Sequence, residues 1–146
     1  MTMKINWTAV IVLVVLHQAL GFLWYSPMLF GDEWMDSVGL LPEDLDPSNP
    51  VPFAVAIAAS FAVNITLAWL FTRLYVSSAT SGMWIAFICW LTLFFLNSAT
   101  HSAFEGEPLA LVLISGGKEL VAFLLSGAVL GAWVKKKQES VHGIPA

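Results

Sequence analysis

Four long apolar runs divide the chain: about Ile5 to Trp24, Val51 to Thr72, Gly82 to Phe104 and Leu109 to Val134. Each holds roughly the 20 mostly apolar residues that an α-helix needs to cross a bilayer. A spanning β-strand would need only about 9–11 residues, so the lengths select helices. Backbone N–H and C=O groups must also find partners inside hydrocarbon, and a helix satisfies them within one segment. The pattern predicts an all-α integral membrane fold, a four-transmembrane-helix bundle forming a single domain over residues 1–146. One connection is long: residues 25–50 are broken by Pro27, Gly31, Gly39, Pro42, Pro47 and Pro50. Between those breakers, "MLFGDEWMDSVGL" sets Phe30, Trp34, Met35 and Val38 among acids. That spacing predicts a short helix in the outer interface, either a lid over the bundle or a membrane-surface anchor. "FEGEPL" makes a tight turn between the third and fourth runs, with Pro108 suited to the first turn of the last helix.

Composition agrees with lipid as the second solvent. The chain is 58% apolar and 11% charged, against about 45–50% and about 25% in soluble domains. Charge placement then orients the spans. Lys4, Arg73, Lys135, Lys136 and Lys137 fall at the N-terminus, the second connection and the C-terminus, which share one side after four crossings. Asp32, Glu33, Asp36, Glu43, Asp44, Asp46, Glu105 and Glu107 fall on the other side, with no Lys or Arg. The positive-inside rule places both termini in the cytoplasm. Aromatic belts fit the same frame, with Trp7, Trp69, Tyr75, Trp84 and Trp133 inside, and Trp24, Tyr25 and Trp34 outside. Trp90 alone lies deep. Lys4, the run after it and Ala19-Leu20-Gly21 also match a cleavable signal peptide. Phe22 to Tyr25 extend that run to full spanning length, which favours a retained helix. Glu43, Asp44 and Asp46 lack EF-hand spacing and read as a solvated loop. The tail "KKKQESVHGIPA" (135–146) reads as a stop-transfer cluster and a loose end, in which His142 has no evident partner. Cys89 is the single cysteine, so no internal disulfide is possible.

Helices in lipid associate through close backbone approach and polar contacts. Ala54, Ala58 and Ala62 give the second helix a small-residue face, and Gly127 and Gly131 do the same for the fourth. Four helices bury little lateral surface, so a homo-oligomer is expected.

The polar residues inside the spans carry what functional signal there is. Lys118 lies ten residues past Pro108, or about 15 Å, near the bilayer centre. A charge there costs about 2.5–3.5 kcal/mol on the insertion scale. Glu119 is its neighbour, and adjacent helix positions do not face each other, so the two are poorly placed to pair. His17 with Gln18, Ser60 with Asn64, Asn97 with His101, and Ser115 with Glu119 put polar groups between mid-membrane and the outer edge in every helix. The inner half has far fewer, Thr66 and Thr92 among them. One reading is an outward-facing polar pocket lined by His17, Asn97, His101, Lys118 and Glu119, since buried ionisable groups in membranes commonly mark solute or ion pathways. Glu119 with His17 or His101 could then move protons. The other reading is plain packing: Lys118 snorkels outward, and the uncharged polar groups act as interhelical glue worth about 0.6 kcal/mol each. "SGGK" offers a third element, a break in the last helix at Gly116-Gly117 like those at transporter sites. His17, His101 and Glu119 lack metal-ligand spacing, so no metal is expected. No nucleophile, phosphate-loop or dinucleotide motif is present, so no cofactor is expected. Few basic residues leave nucleic-acid binding unsupported.

Two stretches, "LGFLWYSPMLFGDEWM" and "FEGEPLALVLISGGKELVAFLLSGAVLGAW", carry Trp24-Tyr25-Ser26-Pro27, Gly31 to Met35, and Gly131-Ala132-Trp133. In these the chain resembles the small bacterial membrane proteins grouped as domain of unknown function 1761. The resemblance implies a four-helix protein of the bacterial inner membrane and no known activity. Ser115-Gly116-Gly117-Lys118 departs from that family's Asn-x-Gly-Tyr-like pattern, which implies that the charged pair belongs to this branch. The functions left open are a small transporter or channel subunit for a polar solute or ion, a structural or accessory membrane protein, and, weakest, an intramembrane enzyme.

Overall fold

The computed structural model describes residues 3–136; Lys137 and the rest of the tail, with His142, lie outside the described residues. Six α-helices carry the fold: α1 (Trp7–Trp24), α2 (Gly31–Val38), α3 (Val51–Leu74), α4 (Ala79–Cys89), α5 (Leu96–Glu105) and α6 (Leu109–Ala132). α4 and α5 are one rod, joined through a π-helical segment at Trp90–Phe95. Counting that rod once, four helical segments are long and apolar enough to cross a membrane.

Local chemistry sets the helix ends. The Asn6 side chain accepts from the Ala9 N–H at 3.3 Å, so α1 begins at Trp7. The Ser78 hydroxyl accepts from the Ser81 N–H at 3.2 Å and starts α4 at Ala79, three residues before the expected Gly82. Both are side-chain N-caps. α3 ends where Tyr75 takes a left-handed φ of 54°. A ribbon that the hydropathy pattern does not predict pairs β1 (Met3–Lys4) with β2 (Lys135–Lys136), antiparallel, Met3 opposite Lys136. Asn6 adds a bond from Nδ2 to the Trp133 carbonyl at 3.0 Å. Both ends of the described chain therefore meet at one end of the helices, with Arg73 at the same end. That end is basic. The opposite end holds α2, the acidic connection and the α5–α6 turn.

α4 and α6 form the tightest seam. A Cβ on Gly127 would come within 2.5 Å of the Gly82 carbonyl oxygen, and one on Gly131 would collide with the Ser78 backbone. The Gly127 and Gly131 face is thus used inside the chain. Ala54, Ala58 and Ala62 remain exposed. Beside this seam, Ala9, Val10 and Leu13 of α1 pack on Leu67, Ala68 and Phe71 of α3, with Leu130 of α6. All of this core lies in the basic half. Toward the acidic end the positions of α3 from Val51 to Ala59 are all exposed, and a space opens between α1 and α3.

One expectation is corrected. α6 runs unbroken through Gly116-Gly117. Those glycines instead admit flat aromatic contacts: a Cβ at Gly116 would lie 2.7 Å from the Phe95 ring, and one at Gly117 would lie 3.2 Å from Trp24. The irregular turn sits in the facing rod, where Trp90 stacks on Phe95 at 4.8 Å and donates from Nε1 to the Gly116 carbonyl at 3.1 Å. The short helix α2 exists as expected. It packs toward α6, held by a tilted contact of the Trp24 and Phe30 rings at 4.8 Å and by Trp24 Nε1 donating to the Ile114 carbonyl at 3.0 Å. Gly31 is required there, because a Cβ would sit 2.6 Å from the Tyr25 carbonyl oxygen.

Candidate functional site

The gap between α1, α3 and α6 is a cavity of about 500 Å³. Its lining runs from Tyr25, Pro52 and Phe53 at the acidic end to His17, Ser60, Val63, Lys118 and Glu119 midway along the helices. Such a volume suits a small organic molecule, for which pockets of about 300–1,000 Å³ are usual. Phe22 and Phe53, both in the lining, stack on each other with ring centres 5.8 Å apart. Below His17 the space ends on the apolar core of Leu13, Leu67, Ala68 and Phe71.

A closed set of hydrogen bonds forms the floor. Asn64 and Ser126 are both 0% exposed, and His17 is buried with them. The Ser126 hydroxyl donates to Asn64 Oδ1 at 2.8 Å, while Asn64 Nδ2 donates to the Ser60 carbonyl at 2.9 Å. Having given its one proton to Asn64, Ser126 Oγ can only accept from His17 Nε2, 2.9 Å away. The histidine hydrogen therefore sits on Nε2, which also faces the Ala122 carbonyl at 3.2 Å. Nδ1 of the neutral ring is left as a bare acceptor. No buried side-chain nitrogen or oxygen among the described residues lacks a partner. His17 Nδ1, which has no partner, is therefore not fully enclosed, and His17 is one of the residues that line the cavity.

The same accounting fixes Gln18. The Ser60 hydroxyl donates to the Ala56 carbonyl at 2.9 Å, so Ser60 Oγ accepts from Gln18 Nε2 at 3.0 Å. Gln18 Oε1 is left without a partner.

Lys118 and Glu119 overturn one expectation. Their backbones diverge by about 100° around the helix, yet Lys118 Nζ reaches Glu119 Oε1 at 2.5 Å. The four-carbon lysine stem bends around the helix surface to do this. Where each charge lacks any other partner and the dielectric is low, attraction outweighs the bending. This is the one ion pair among the described residues, with side chains 21% and 27% exposed. Glu119 Oε2 and the other two N–H groups of Lys118 make no bond.

The cavity thus brings together three of the expected five residues, His17, Lys118 and Glu119, and adds Gln18 and Ser60. Asn97 and His101 are not with them; both are exposed on α5. Every residue inserted into a turn rotates the downstream part of a helix by about 100°, and the wide turn at Trp90–Phe95 carries the polar face of α5 away from α6. Ser102, on the other side of α5, is buried and donates to Glu107 Oε2 at 2.5 Å. At the acidic end Asp46 accepts from the Ser48 hydroxyl and N–H at 2.6 and 2.9 Å, and these bonds hold its carboxyl below the ordinary range. No three His, Cys, Asp or Glu side chains among the described residues come together as metal ligands.

A family model described as a protein of unknown function, DUF1761, matches residues 8–131. No curated protein and no solved structure matches the chain.

Proposed function

We propose, from the premise that this chain belongs to the DUF1761 family of proteins of unknown function, that it binds a small polar solute within the membrane as a transporter subunit. The cavity carries this reading: its lining extends from mid-depth to the acidic end, the apolar core lies toward the basic end, and it keeps polar groups with unused bonding capacity at mid-depth. A polar pocket that only fixed helix packing would have no reason to leave Lys118, Glu119, Gln18 and His17 incompletely bonded in so apolar a chain. Lys4, Arg73 and Lys135 at the basic end support cytoplasmic termini. On that orientation the cavity faces outward from the bacterial inner membrane. The packed core beneath His17 favours alternating access over an open channel. The exposed Ala54, Ala58 and Ala62 face supports a second copy packing there.

A second reading, a structural or accessory membrane protein, is favoured by the His17–Ser126–Asn64 network, whose bonds between those residues hold α1, α3 and α6 together. Labelling separates the two. In a Cys89→Ser background, Ser60→Cys reacts with a small membrane-impermeant thiol reagent added outside intact cells and is protected from reagent added to the cytoplasmic face. Failure to label from outside, in protein that assembles normally, rejects the binding cavity. Lys118→Met and Glu119→Gln then assemble normally but lose solute flux. Lost assembly would instead give both residues to packing.

A further inference from the structure

We infer that the cavity takes a small zwitterion, a primary ammonium and an oxyanion carried on an apolar body; this rests on the solute-binding reading above. Lys118 and Glu119 are the formally charged pair in the lining, and each is the other's partner. An anionic ligand would draw Lys118 away and leave the Glu119 carboxylate unpaired at depth. A cationic ligand would strand Lys118 in the same way. A zwitterion laid antiparallel to the pair keeps all four charges matched, and net charge in the cavity stays at zero.

The bonding capacity left open has the same stoichiometry. A primary ammonium has three N–H donors. Three side-chain acceptors in the lining lack a hydrogen: Glu119 Oε2, Gln18 Oε1 and His17 Nδ1, the last two fixed by the donor accounting at Ser60 and Ser126. For an oxyanion, Lys118 has two N–H donors beyond the one given to Glu119. The stacked Phe22 and Phe53 of the lining offer an apolar wall to the rest of the molecule. A fully polar solute would leave that wall unmatched.

Three probes on one skeleton test this: phenylalanine, 3-phenylpropionate, which lacks the ammonium, and phenethylamine, which lacks the carboxylate. Each is titrated calorimetrically into the full chain purified in detergent. Phenylalanine is expected to bind at least about tenfold tighter than either analogue, a difference of about 1.4 kcal/mol. Glu119→Gln is expected to shift the preference to 3-phenylpropionate, and Lys118→Met to phenethylamine; a merely misfolded variant would lose all three. Either analogue equalling phenylalanine on the unaltered chain overturns the inference. So does absence of binding by all three while Ser60→Cys still labels from outside. Absence of both binding and labelling overturns the cavity reading itself. A zwitterionic lipid headgroup offers the same chemistry. Competition with phenylalanine by phosphatidylethanolamine, and not by phosphatidylglycerol, in nanodiscs identifies a lipid source; no competition by either identifies a free solute. Both results support the inference once phenylalanine binds.

Discussion

Replacing Ser126 with alanine tests the donor accounting on which the site depends. The hydroxyl joins His17 Nε2 at 2.9 Å to Asn64 Oδ1 at 2.8 Å, and neither Ser126 nor Asn64 touches solvent. Ser126→Ala removes the donor to Asn64 Oδ1 and one acceptor from His17, which keeps the Ala122 carbonyl at 3.2 Å. A buried acceptor left unpaired costs about 1–3 kcal/mol in water-soluble proteins. In membranes the measured coupling averages about 0.6 and reaches about 1.7 kcal/mol, because the unfolded reference also finds partners. We expect a loss of about 1–2 kcal/mol, toward the upper membrane value because both groups are fully enclosed. The assay is a double-mutant cycle with Asn64→Leu, read from reversible denaturation in mixed detergent micelles. The single variants each strand a group and the double variant strands neither of the pair, so the coupling should be about 0.6–1.7 kcal/mol. Coupling indistinguishable from zero would refute the shared bond and, with it, the assignment of the histidine hydrogen to Nε2.

Other outcomes rest on the same contacts. Gly82→Ala forces a methyl onto the Gly127 backbone and should lower stability by at least the ~1–3 kcal/mol typical of overpacking, whereas Gly21→Ala, with nothing within 4 Å, should be destabilising by less than about 0.5 kcal/mol in the same denaturation assay. Trp90→Phe loses the Nε1 bond to Gly116 and should cost about 1 kcal/mol while keeping the stack on Phe95. Asn97→Ala and His101→Ala, both exposed, should leave phenylalanine binding within about twofold of the unaltered chain; a tenfold loss would return them to the site. Ser48→Cys should label from outside the cell and Ser77→Cys from the cytoplasm, in the Cys89→Ser background; the reverse pattern would invert the orientation.

The spans are legible because their length and hydropathy answer directly to the thickness of hydrocarbon. Their ends differ by a few residues where a polar side chain caps the helix, as Asn6 and Ser78 do. The β1–β2 ribbon has no signature, since two residues per strand are too few for an alternation to register. In the site, His17, Lys118 and Glu119 are recoverable from depth alone. Gln18 and Ser60 lie at comparable depth, but their place in the lining depends on how α1 and α3 diverge, which no single helix encodes. Asn97 and His101 fall outside the lining because the regular 3.6-residue turn expected of the third span does not hold through Trp90–Phe95. Aromatic stacking of Trp90 on Phe95 is visible there only once both rings are placed over Gly116.

Polar side chains of similar depth end in two different states, and the difference is a more discriminating signal than depth itself. Asn64 and Ser126 share a bond that crosses from α3 to α6 and neither touches solvent, so truncating either should be felt as stability. Lys118 and Glu119 bond only to each other and Gln18 to the Ser60 hydroxyl across the cavity lining, and all three retain unused donors or acceptors. His17 belongs to both sets, with Nε2 in the floor and Nδ1 left without a partner in a residue that lines the cavity. A ligand bound at Nδ1 is therefore coupled through a single rigid ring to Ser126 and Asn64, the contacts that join α1 to α6 and α3. Because a ligand that favours one arrangement of those helices must be favoured by it in return, Ser126→Ala should alter phenylalanine affinity as well as stability. Conversely, Gln18→Ala, whose one side-chain partner across the helices is the Ser60 hydroxyl and not His17, Ser126 or Asn64, should weaken binding with a much smaller effect on the denaturation midpoint. Equal effects of the two substitutions on both readouts would mean that floor and cavity are not the separate, ring-linked units described.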